Sequence, residues 1–164
     1  MQRRTLLTAA GYTTAWSTLG IMSLGTAQAQ VTDLNDAINK AGRQRMLSQR
    51  MGKAWLALAH KSDTPAARAV LDQSLALFER QLAELKAYAP SPTIRDTYAK
   101  LESAWADHKA TLLGTAPSRD GAAALLQADA KVLALAHQGT VQYEAASGKP
   151  VGKLVNVAGR QRML

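Results

Sequence analysis

The sequence predicts an all-α fold, an up-down antiparallel four-helix bundle with a short extra C-terminal helix. Three observations predict it. Apolar residues make up 47% of the chain but aromatics only 5%, and much of the apolar content is Ala and Leu, which favours closely packed helices over a β-sandwich. Three stretches place apolar or small residues at alternating spacings of four and three, the period of one helix face, and a fourth carries a broader and weaker apolar face. Short breaks rich in Pro, Gly and Ser separate those stretches. No long run alternates Val, Ile, Tyr or Thr with polar residues, so a strand reading finds little support.

The length, 164 residues, suits one domain plus a small extra. We expect an export signal over residues 1–29, the bundle over 30–147, and a linker with the start of a second module over 148–164. The signal begins with Arg3-Arg4, continues through a mildly apolar run from Leu6 to about Leu24, and ends in Ala27-Gln28-Ala29, which fits a small-x-small cleavage site. Arg3-Arg4 followed by Thr5-Leu6-Leu7 looks like a twin-arginine signal, with cleavage after Ala29. An ordinary secretory signal and an uncleaved anchor are the other two readings. All three place the remainder outside the cytoplasm, in the periplasm, and so argue against nucleic acid as a partner.

The formal charge is +8, and +6 once Arg3 and Arg4 are set aside. Such a balance attracts anions of any kind. There is no Cys, hence no disulfide, thiolate metal site or Cys-x-x-Cys-His haem attachment. Nothing in the sequence calls for a cofactor or metal, and no nucleophile, nucleotide loop or Ser-His-Asp order suggests an enzyme.

The first helix spans residues 31–61, with Asp33 or Asn35 as cap. One row reads Leu34, Ile38, Ala41, Arg45, Ser48, Gly52, Trp55 and Ala59; a second reads Leu47, Met51, Ala54 and Leu58. The first row carries Arg45 and Ser48 where a bundle core wants Leu. Thr64 and Pro65 restart the chain as cap and first helical residue. The second helix then runs to about Tyr88 with an unbroken seam of Leu71, Leu75, Phe78, Leu82, Leu85 and Ala89. Ser91 and Pro92 open the third helix, whose stripe is Ile94, Tyr98, Leu101, Trp105, His108 and Leu112; Gly114 and Pro117 end it. A fourth helix runs from about residue 118 to Ala146, with a broader face of Leu125, Leu126, Val132, Leu133, Ala136, Thr140 and Tyr143. His108 reads as a core histidine, Trp55 and Trp105 as core or interface anchors, and Met46 and Met51 as packing residues.

Residues 39–50, Asn-Lys-Ala-Gly-Arg-Gln-Arg-Met-Leu-Ser-Gln-Arg, concentrate polar chemistry on the first helix. Residues 41–47, Ala-Gly-Arg-Gln-Arg-Met-Leu, recur letter for letter as residues 158–164, an identity that chance does not explain in so short a chain. Successive helical residues turn by about 100°. Arg43 and Arg50 therefore share one face, and Arg45, Ser48 and Gln49 share the packing stripe. An arginine there is costly unless paired or bound to an anion, and its planar fork of N–H groups suits an oxyanion. Ala41, Ser48 and Gly52 would let another helix approach closely. The opposing reading gives Arg45 and Arg50 ordinary salt bridges to Glu79, Glu84 or Glu102.

The run from Ile38 to Arg50 resembles the P-box of periplasmic nitrate/nitrite sensors of the NarX/NarQ type. It is closer still to the PilJ-type domain, the N-terminal sensory domain of type IV pilus methyl-accepting chemotaxis transducers, whose pattern is roughly Asn-x-Ala-Gly-x-x-Arg-Met-x-Ser-x-Arg. The resemblance implies a periplasmic bundle that forms a homodimer through its first helix, with nitrate or nitrite held between two copies of the box. Carried over, the anion-contacting arginine is Arg45, with Gly42 beside it, and the closing arginine is Arg50; Arg43 and Gln44 follow the PilJ-type variant. The ligand-binding set expected is Gly42, Arg43, Arg45, Ser48, Gln49 and Arg50. Family members carry transmembrane and signalling segments after this domain. Here no apolar stretch of about 18 residues follows the signal, so a membrane-bound partner would have to take the output. The alternative reading is a structural or protein-interaction bundle that no longer binds a ligand, its second box packing as a fifth helix.

Overall fold

A computed structural model describes residues 30–114, 116–148, 154 and 157. The expected export signal and the whole second box lie outside the described residues. Four antiparallel helices follow one another: α1 (Leu34–Ala59), α2 (Thr64–Tyr88), α3 (Pro92–Gly114) and α4 (Ala122–Ser147). α1 packs broadly on α2 and α4, and α3 on α4, whereas α2 and α3 meet lightly. This is the all-α up-down bundle that the spacing predicts. Of the expected extra C-terminal helix, Leu154 and Val157 are described, both helical and exposed. No helix among the described residues is long and apolar enough to cross a membrane.

Local chemistry sets the helix ends. Asp33 caps α1, its carboxylate accepting from the Asp36 amide at 2.9 Å, as an N-cap side chain should. Ser91 caps α3 in the same way, its Oγ accepting from the Ile94 amide at 3.3 Å. The start of α2 differs from expectation. Asp63 rather than Thr64 is the cap, because Lys61 and Asp63 adopt left-handed φ values of 57° and 40° that turn the chain before Thr64. Asp tolerates that region better than most residues. Gly148 closes α4 at φ 59°, where the absence of Cβ makes a left-handed residue inexpensive.

The core forms where the stripes meet. Every residue of the predicted α2 seam and α3 stripe is buried. Along α1, Ile38, Ala41, Arg45, Ser48, Gly52 and Trp55 are buried, as is the whole row from Leu47 to Leu58. The face of α4 is corrected. Leu126 is 53% exposed and Leu133 only half-buried. The buried stripe is Leu125, Asp129, Val132, Ala136, Gly139, Thr140 and Tyr143. The helical period selects that row, and its acid and glycine masked it in a search for leucines.

Two tyrosines tie α4 to its neighbours. Tyr98 of α3 lies against Gly139, where a Cβ would fall 2.9 Å from its ring; only glycine permits that approach. Tyr143 donates its hydroxyl to the Leu85 carbonyl of α2 at 2.7 Å, with the Tyr98 ring centred 5.6 Å away. Burial raises the phenol pKa of both residues, since a phenolate would have to form in apolar surroundings. Trp55 and Trp105 are core anchors, 0% and 4% exposed. Trp105 stacks at a tilt on Phe78, ring centroids 4.2 Å apart.

A polar box at the α1–α4 seam

The box occupies the middle of α1, and the helix divides it by face. Arg45 and Ser48 point inward, at 2% and 0% exposure. Gly42 and Gln49 are half-buried, while Arg43 and Arg50 are exposed. The six expected residues therefore do not converge on one surface. Two enter the bundle, two lie on the shoulder, and two face solvent.

Arg45 reaches α4. Its Nη1 lies 3.0 Å from Nδ1 of His137. A guanidinium can only donate, so Nδ1 accepts, and the imidazole is neutral with its proton on Nε2. On the other side, a Cβ built at Gly42 would lie 3.4 Å from Arg45 Nη2. A methyl at 42 would therefore meet the guanidinium edge at ordinary contact distance.

One turn along, the Ser48 hydroxyl donates to Oδ1 of Asp129 on α4. Asp129 is 9% exposed. Gly52 of α1 faces the other carboxylate oxygen, with a Cβ position 4.0 Å from Oδ2. From α3, fully buried His108 brings Nε2 to 3.7 Å from Asp129 Oδ1. That is too long for a hydrogen bond but within reach of an ion pair. Burial lowers the His108 pKa, and the Asp129 charge opposes the shift without overcoming it. His108 is thus the expected core histidine, but one facing a carboxylate.

Gln44, also fully buried, turns toward α2 and donates from Nε2 to the Phe78 carbonyl at 3.4 Å. The acids once assigned to Arg45 and Arg50 have other partners. Glu84 takes Lys40 at 2.8 Å and Arg80 at 3.8 Å. Glu79 takes Lys109 and the Trp105 indole, and Glu102 takes Lys86. Burial works against the Lys40 charge, yet its hydrogen bonds to Glu84 and Asp36 outweigh burial and hold its pKa above the usual value.

Sequence reasoning missed Asp129 and His137. A signal for Asp129 was present: it stands on the α4 packing stripe between Leu125 and Val132, the same anomaly that singled out Arg45 on α1. His137 sits beside the stripe and gave none. Among the described residues no three His, Asp or Glu side chains gather as a metal site.

No curated protein and no solved structure matches the chain significantly. A family model does match, over residues 27–138, a span holding the box, Asp129 and His137. That model covers most of the chain, so the protein belongs to the PilJ family, the sensory N-terminal domain of type IV pili methyl-accepting chemotaxis transducers.

Proposed function

We propose that this protein is a periplasmic ligand-binding module that recognises a small oxyanion, nitrate or nitrite, through the box on α1. The observation that carries the reading is Arg45. It is a guanidinium 2% exposed on a packing stripe, next to a glycine, within the span that matches the sensory family. A buried arginine is costly to keep, and a fork of N–H donors in a low-dielectric seam suits a planar anion. The guanidinium rests on His137. Ligand binding would draw it off that nitrogen, either within one bundle or toward a second copy paired through α1. Arg43 and Arg50 on the outer face would steer anions in. A membrane-bound partner would carry the output.

The test is thermal unfolding of the purified chain in nitrate, nitrite, sulfate and chloride at one ionic strength. A ligand at a hundred times its Kd stabilises the fold by about 2.7 kcal/mol. The reading predicts a rise with nitrate or nitrite that grows with the logarithm of concentration above Kd and vanishes in Arg45→Ala. Equal curves in all four salts would contradict it.

A second reading, a structural or protein-interaction bundle, is favoured by one observation: Arg45 already has a hydrogen-bond acceptor within its own bundle. It predicts the equal curves, together with loss of a homodimer in Gly42→Leu, detected by sedimentation.

A further inference from the structure

Ser48 is held by a carboxylate that a buried histidine also faces, and the two contacts meet on one oxygen. Asp129 Oδ1 accepts the Ser48 hydroxyl from α1, and the same oxygen lies 3.7 Å from His108 Nε2 on α3. Both His108 nitrogens are buried and without a hydrogen-bond partner among the described residues. A buried imidazole in that state is held neutral at a cost, and the nearest group able to relieve it is Asp129. We propose that Asp129 is a positioning residue for Ser48, and so for the box, and that protonation of His108 draws the carboxylate from Ser48 into an ion pair. α1 then loses its polar tie to α4 at that turn, and the Ser48 hydroxyl falls back on the Gln44 carbonyl one turn earlier.

The surroundings leave Asp129 as the charge that matters. From α4 it is the one acid within ion-pair distance of His108 among the described residues. From α1, neutral Ser48 and Gly52 face the carboxylate, and the cation a turn away, Arg45, is bonded to His137. On α3, the neighbouring Asp107 pairs with Lys131, and Lys109 pairs with Glu79 of α2. Next to His108, Trp105 presents an uncharged ring edge-on, ring centroids 5.8 Å apart. The lowered His108 pKa is set by burial, which puts the switch on the acid side of neutrality. The latch operates whatever the box binds; only its consequence for ligand affinity rests on the oxyanion reading.

The experiment uses the full chain without added anion, so its failure and that of the oxyanion reading are separable. The His108 ring signal is titrated by NMR, and amide exchange is followed in α1 and α2 over the same pH range, corrected for intrinsic rates. As His108 protonates, amides around Ser48 should exchange roughly tenfold faster, the scale of one lost hydrogen bond, while the α2 seam stays protected. Asp129→Asn should move the His108 midpoint to lower pH, because the favourable charge is gone. Ser48→Ala folds without the tie and should show fast α1 exchange at every pH. The proposal is overturned if α1 exchange ignores the His108 titration, if all helices loosen together, or if Asp129→Asn leaves the midpoint in place. Should Asp129→Asn not fold, a pH step that persists in Ser48→Ala overturns it equally.

Discussion

Arg45 Nη1 of α1 lies 3.0 Å from Nδ1 of His137 of α4, 92 residues further along the chain. The pair binds the helix that carries the box to the last helix of the bundle, and it dictates the tautomer of the imidazole. His137→Gln keeps an amide oxygen near the guanidinium and should cost less than about 1 kcal/mol. His137→Leu takes that acceptor from a buried charged donor and should cost about 1–3 kcal/mol. Urea unfolding of the two variants measures the difference; equal losses would show that the hydrogen bond contributes nothing.

The α3–α4 contact makes a second expectation. Gly139→Ala places a methyl 2.9 Å from Cε2 and 3.1 Å from the hydroxyl oxygen of Tyr98, which is fully buried. Overpacking of this kind costs about 1–3 kcal/mol, well beyond the helix propensity that alanine gains. Tyr98→Phe removes a buried hydroxyl that has no partner among the described residues, so it should be neutral or stabilising. Combined with Gly139→Ala it should recover part of the loss, because the hydroxyl is one of the clashing atoms. A double-mutant cycle on chemical denaturation reads the coupling.

Alkali should unfold the protein earlier than its charge alone would. Tyr98 and Tyr143 have raised phenol pKa values in the folded state. An unfolded tyrosine ionises near pH 10, so above that pH the unfolded chain binds fewer protons than the folded one. Stability is therefore fully present below about pH 10 and lost as pH rises toward the folded values. The urea midpoint should fall as pH rises above about 10 in the wild type and fall less in Tyr143→Phe. That variant also gives up the Leu85 hydrogen bond, at about 1 kcal/mol at neutral pH.

The fold was legible because the dominant signal was redundant. Leu71 to Ala89 and Ile94 to Leu112 repeat the helical period without interruption, and each of those side chains is buried. Caps were legible at Asp33 and Ser91, where the side chain alone decides the turn. The cap at Asp63 was not, because it depends on left-handed backbone angles at Lys61 and Asp63. On α4, Leu126 and Leu133 drew attention from a row that includes Asp129 and Gly139. A buried acid and a glycine look like surface until the residues opposite are known. The inward turn of Arg45 and Ser48 was readable from period; their partners Asp129 and His137 were not, being 81 and 92 residues away. Nor could the sequence show that Glu79, Glu84 and Glu102 are taken by lysines.

Whether the box binds an oxyanion through Arg45 is decided by isothermal titration. Nitrate and nitrite are titrated into the wild type, Arg45→Ala, and Arg43→Ala/Arg50→Ala, with sulfate as control. The double variant alters only exposed side chains and should keep its stability within about 0.5 kcal/mol. The account predicts saturable heat in the wild type, weaker binding in the double variant, and none in Arg45→Ala at a temperature where that variant is folded. No heat from any anion in the wild type, or the same isotherm in Arg45→Ala, would contradict it.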